Sequence, residues 1–105
     1  MELRGSQRKY LRGLAHALRP AVQVGREGLS AGVLEAFHAA LAANELVKVQ
    51  FLADKDRDTK RALAETLAAH GGAALVGAIG HTAIFFRRHP DPERRRVRLP
   101  GEEAP

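Results

Sequence analysis

Few residues in this chain could do chemistry, and the most suggestive are Gly25-Arg26-Glu27-Gly28. Glycine has no Cβ, so a backbone built on it can approach a phosphate and present its N–H groups. A helix starting just after the loop would add the positive end of its dipole. The Arg26 guanidinium would add a fork of donors matched to phosphate oxygens. Glu27 opposes that chemistry and is expected to point away from the ligand. Ten glycines in 105 residues produce about one Gly-x-x-Gly by chance. A second, Gly77-Ala78-Ile79-Gly80, is apolar inside and reads as structural. On local grounds the first stays open between a phosphate cradle and a plain strand-to-helix turn.

The charge distribution bears on that choice. Lys and Arg number 17 against 12 Asp and Glu, with a net charge of +5 and a pI near 10.4. Residues 1–26 carry Arg4, Arg8, Lys9, Arg12, Arg19 and Arg26 against Glu2 alone. Residues 87–105 add six arginines against four acids, and the middle of the chain is slightly acidic. A basic stretch with no acid between Arg4 and Arg26 cannot neutralise itself locally, which suits a polyanionic partner. A solvated face is the plainer alternative.

Catalysis finds little support. His16, His38, His70, His81 and His89 form no His-x-x-x-His or similar ligand pair, so no metal is expected. Asp54, Asp56 and Asp58 alternate, but Lys55, Arg57 and Lys60 are interleaved and the glycine and glutamate of a calcium loop are missing. Neither a Gly-x-Ser-x-Gly elbow nor a Gly-x-x-x-x-Gly-Lys loop occurs. With no cysteine, a disulfide framework, a thiol nucleophile and a thiolate site are excluded, and a reducing compartment, the cytoplasm, is expected. No enzyme activity, cofactor or small-molecule substrate is expected. Tyr10, Phe37, Phe51, Phe85 and Phe86 are the only aromatics, too few for an obvious base-stacking platform. Phe85 and Phe86 should face opposite ways, leaving at least one exposed. Backbone and shape recognition is favoured over base readout. Thr66–Phe86 has no Asp, Glu, Lys or Arg, but its glycines, histidines and Thr82 argue against a membrane span.

Hydrophobic spacing supplies the elements that must hold these groups. Ser6 to Leu18 reads as a helix with Ser6 as N-cap, burying Leu11, Leu14 and Leu18 and turning Arg8, Lys9, Arg12, His16 and Arg19 outward. Pro20 ends it. A short strand at 21–24 runs into the glycine loop, and a second helix follows, with Ser30 as N-cap and Val33, Leu34, Phe37 and Leu41 inward. Leu46–Leu52 is a strand with Lys48 and Gln50 outward. The run 54–58 is a loop whose Asp58 or Thr59 caps a third helix, which Gly71-Gly72 ends. Strands at 74–79 and 83–86 form a hairpin through Gly80-His81. The tail from His89 is expected to be extended or loose. The order α-β-α-β-α-β-β predicts a compact α/β domain, a mixed sheet of about four strands with packed helices. The domain is drawn at 1–98 and a short tail at 99–105.

Longer blocks carry a resemblance. Leu11-Arg12-Gly13-Leu14-Ala15-His16-Ala17-Leu18-Arg19-Pro20, then Val24-Gly25-Arg26-Glu27-Gly28-Leu29-Ser30, resembles the opening of YhbY-like proteins, which carry the chloroplast RNA splicing and ribosome maturation (CRM) domain. Leu46-Val47-Lys48-Val49, Gly80-His81-Thr82, Phe86-Arg87 and Val97-Arg98-Leu99-Pro100 look like later blocks of that family. The resemblance implies a fold similar to the C-terminal domain of bacterial initiation factor three. It also implies binding of ribosomal RNA or large-subunit precursors; the chain is expected to act as a monomer. The implied contacts are Gly25, Arg26, Glu27 and Gly28, the helix residues Arg8, Lys9, Arg12, His16 and Arg19, and Arg87. For His16, a bracing hydrogen bond and an RNA contact stay open. Phe86 stands where the family often has Tyr, and Glu27 where small or polar residues are common. Arg94-Arg95-Arg96 is either an added RNA contact or a solvated tail. The alternative function is a protein-interaction module whose basic face docks an acidic protein.

Overall fold

In a computed structural model, described over residues 2–52 and 55–102, three helices pack on a four-stranded sheet. The elements are α1 (Gly5–Ala15), β1 (Val22–Val24), α2 (Ala31–Asn44), β2 (Leu46–Phe51), α3 (Arg57–Gly71), β3 (Ala74–Ile79) and β4 (Thr82–Phe86), with a short 3₁₀ turn at Pro92–Arg94. The strand order is β1-β2-β4-β3. β1 runs parallel to β2, joined through α2, and the other two pairings are antiparallel. This is the mixed α/β sheet expected from the order of elements.

Side-chain alternation divides the core in two. Val22, Val24, Val47, Val49, Phe51, Ala83 and Phe85 meet Phe37 and Leu41 of α2 and Ala64 and Leu67 of α3. On the other face Leu46, Ala74, Val76, Ile84 and Phe86 meet Leu11 and Ala15 of α1, together with Leu3 and Leu99. Phe85 and Phe86 do point to opposite faces, but both are fully buried, since helices cover both sides of the sheet at that point. The expected exposed aromatic is therefore absent from this pair.

Other expectations shift for local reasons. α1 begins at Gly5, not after Ser6, and Gln7 Oε1 accepts from the Arg4 amide at 3.0 Å. Its buried positions are Gln7, Leu11 and Ala15, while Leu14 and, just past the helix, Leu18 stay 39% and 37% exposed. The alanine lets the helix sit close to the sheet, and the helix rolls away from the leucine stripe. α3 starts earlier than expected, because Asp56 is the cap: its carboxylate accepts from the Thr59 amide at 2.7 Å. That amide bond, ahead of smaller contributions, lowers the Asp56 pKa below its ordinary value. Asp54 lies outside the described residues. Gly72 ends α3 in the left-handed conformation, φ 61°.

The segment after His89 is not loose. The Glu45 carboxylate, 1% exposed, gathers it in. Oε2 accepts from the His89 amide at 2.7 Å and from Arg88, and Oε1 from the Arg96 and Val97 amides at 2.6 and 2.9 Å. Leu99 is then buried against Leu3 and Leu11, and Pro100 O accepts from Arg4 and Gln7. The packed body thus extends past the expected boundary at residue 98, because Leu99 packs into the core on the α1 face.

Candidate nucleic-acid interface

β1 delivers the chain directly into the glycine loop. Gly28 N–H donates to Gly25 O at 3.1 Å, closing a turn, and Gly28 sits at φ +70°, a region that disfavours any residue with a Cβ. Ser30 N–H then donates to Gly28 O at 3.0 Å. Its hydroxyl accepts from Val33 N–H at 3.2 Å, which caps α2. The loop is therefore fixed at both ends while Arg26 and Glu27 are exposed at its tip. Among the described residues the amides of Arg26 and Glu27 donate to no protein acceptor, so they remain available to an anion.

α1 crosses the sheet from β3 toward β2. Arg12 lies over Gly77 on β3, where an added Cβ would come 3.0 Å from Arg12 Cδ. At the other end Lys48 Nζ donates to Ala15 O at 3.2 Å and to Leu18 O at 3.3 Å. It satisfies helix carbonyls that would otherwise lack partners. Lys48 was expected to face outward; it is half-buried beneath the helix end. The His16 ring makes no bracing hydrogen bond among the described residues and is exposed.

The cations divide by whether the protein itself engages them. Arg8 donates to Leu75 O. Arg87 donates to Gly71 O at 2.8 Å and to the His38 ring and carbonyl, and so ties β4 to α2 and α3. Lys9, Arg12, Arg19 and Arg26 make no hydrogen bond or ion pair among the described residues and are exposed. An interface needs donors that the fold has not already used, so Lys9, Arg12 and Arg26 are its best-placed cations. Arg19 is set apart: it lines a cleft of about 390 Å³ with Leu14, Leu18 and Arg96, beside the start of β2. Arg87 belongs to the opposite face of the sheet, with α2 and α3.

At the loop end of the sheet the hairpin adds a further pair. Lys60 Nζ donates to His81 Nδ1 at 2.8 Å and to Gly80 O at 3.4 Å. This pair was not singled out in the sequence, where 21 residues separate its members. Among the described residues no group of three or more His, Cys, Asp or Glu could hold a metal ion, and no helix is long and apolar enough to cross a membrane.

Comparison with known proteins places this geometry. The sequence profile of the CRS1/YhbY (CRM) domain matches residues 3–87. The chain belongs to the CRS1/YhbY (CRM) domain family. Within it, a probable RNA-binding protein of Pseudomonas aeruginosa is 38% identical over 94 residues, 90% of this chain and 89% of its own. An RNA-binding protein of Haemophilus influenzae is likewise 38% identical, over 90% of this chain and 91% of its own. The solution structure of a hypothetical protein from Staphylococcus aureus superposes with a TM-score of 0.80 at 33% identity, covering 94% of this chain and all of that one. The CRM match spans α1, the glycine loop, all four strands and Arg87, so both groups of cations fall inside it.

Proposed function

We propose that this CRM chain is a non-catalytic, cytoplasmic RNA-binding protein that acts as a monomer on ribosomal RNA in precursors of the large ribosomal subunit. The observation that carries the reading is the set of unengaged cations, Lys9 and Arg12 on α1 and Arg26 on the glycine loop, together with the loop's own free amides at Arg26 and Glu27. Phosphates supply most of the affinity in such interfaces. The names of the relatives support RNA as the polyanion. The step to large-subunit precursors rests on the resemblance of the sequence blocks to YhbY-like proteins. With about four to six phosphates contacted, log affinity should fall against log salt with a slope near −3 to −5.

The test is sedimentation of cell lysate on a sucrose gradient with and without RNase. Co-migration with large-subunit particles, lost at high salt, is the expected result. Protein that stays at the top of the gradient at low salt would sink the assembly role. The docking of an acidic protein keeps one observation in its favour. Tyr10 is exposed on α1, Leu14 and Leu18, on and just past α1, are exposed in the cleft with Arg19 and Arg96, and RNA has little use for leucines. That reading requires a partner that remains bound after nuclease treatment.

A further inference from the structure

α1 covers only part of its sheet face, and the part left open is the end next to the glycine loop. There the register aligns Gln23 of β1, Gln50 of β2, Thr82 of β4 and Ile79 of β3 in one row across all four strands. Gln23 and Gln50 are exposed, Thr82 is half-exposed and Ile79 is 61% exposed. These four share the α1 side, since their strand neighbours Val22, Val24, Val49, Phe51 and Ala83 point into the opposite core.

We infer that this row is a reading platform for unpaired RNA nucleotides whose phosphates are held by Arg12 and the glycine loop; the inference rests on the RNA-binding reading above. Four strands span about 14 Å between the outer pair, and a four-stranded sheet elsewhere accommodates two or three splayed bases. The usual aromatics are missing, so recognition passes to the amides. Each glutamine offers both a donor and an acceptor, the combination that pairs with the N6/N7 edge of adenine. The Thr82 hydroxyl donates to Ile79 O at 2.8 Å and so keeps its lone pairs for an incoming donor such as a 2′-OH. Ile79 gives a base an apolar surface. No described residue that the strands turn to this face is acidic, so nothing there repels phosphate. Arg12, lying over Gly77 one step down β3 from Ile79, flanks the row, and Gly25 follows Gln23 by two residues.

The test is binding of two probes, single-stranded oligo(A) and a fully paired RNA hairpin of equal length, by the wild type and by Gln23→Ala/Gln50→Ala. The expected result is a loss of about tenfold or more for oligo(A) in the variant. Hairpin affinity and the salt slope should hold, since the phosphate contacts are untouched. Gln23→Thr/Gln50→Thr, which keeps strand propensity, should behave alike and show wild-type melting. Equal losses for both probes, or no loss for either, would overturn the platform, and the latter is also what a protein-docking face would give. Wild-type binding of the hairpin alone would overturn the platform and leave the RNA-binding reading standing. If the wild type bound neither probe, the RNA-binding reading itself would fail.

Discussion

Arginine plays opposite parts at two corners of this molecule. At the Glu45 corner, Arg88 donates to Glu45, to Glu102 and to Val97 O, and is stacked 5.6 Å from the centre of the Phe86 ring. Away from that corner, on α1 and on the glycine loop, Arg12 and Arg26 donate to nothing among the described residues and face solvent. The first corner uses guanidinium chemistry to close the fold; the second leaves it in solvent. Counting basic residues along the sequence cannot separate the two. Burial and partners do.

The sharpest way to break the comparison is to attack the Glu45 corner. Glu45→Ala leaves three amides, those of His89, Arg96 and Val97, without an acceptor in a closed site, and removes one of the carboxylates that Arg88 pairs with. A loss of about 3–5 kcal/mol is expected for removing one partner of such a buried charged pair, read by urea or thermal denaturation. Glu45 also sits at φ +65°, where a side chain costs about 1–2 kcal/mol. Glu45→Gly should therefore be less damaging than Glu45→Ala by roughly 1 kcal/mol. If both variants melt like the wild type, the C-terminal segment is not held in the way described.

Acid should open the same corner. Burial, the largest single influence on Glu45, pushes its pKa up. The His89, Val97 and Arg96 amides together with Arg88 outweigh it and hold the pKa below 4.5. A carboxylate whose folded pKa is lowered contributes stability above its unfolded pKa and loses it as pH falls through the folded value. Melting temperature should therefore drop on acidification below about pH 4.5, and the drop should be smaller in Glu45→Gln, which cannot titrate. An identical acid profile in Glu45→Gln would show that other carboxylates control it.

At the other corner the expected effect moves from stability to binding. Arg12→Ala/Arg26→Ala should keep its folding free energy within about 0.5 kcal/mol of wild type, as exposed residues without partners usually do. Its RNA affinity should fall about equally for different sequences, and its salt slope should shrink by about 2, one for each lost phosphate contact. Arg88→Ala should show the reverse pattern, destabilised with an unchanged slope. If Arg12→Ala/Arg26→Ala binds RNA as the wild type does, the proposed surface is wrong.

The two corners also differ in how legible they were. The glycine loop, the Ser30 cap and the basic stretch are local patterns, so residue type and spacing display them directly. So do the seven elements and their order. The Glu45 corner is invisible by those means: an acid between a helix and a strand looks like an ordinary surface residue. Its partners lie 43 to 52 positions downstream. The tail from His89 looked loose for the same reason, since its acceptor is so remote in sequence. The roll of α1 onto Leu11 and Ala15 was hidden because the leucine stripe outweighs one alanine in any periodicity count. Arg87 could be named from the sequence, but not its tie to Gly71 and His38 across the core.

The smallest effects lie within the loop itself, and there the comparison can be narrowed to two glycines. Gly28 needs to be glycine for the backbone: at φ +70°, alanine should cost about 1 kcal/mol in stability. Gly25 has no such need. Its φ is not in the left-handed region, and an added Cβ would meet nothing within 4 Å. Gly25→Ala should therefore fold at least as well as the wild type, since alanine also restricts the unfolded chain. If the loop is where a phosphate approaches the backbone, that same methyl group occupies the path, and RNA affinity should fall while the melting temperature does not. A Gly25→Ala protein with wild-type affinity would leave the loop as a strand-to-helix turn and move the phosphate contacts onto α1.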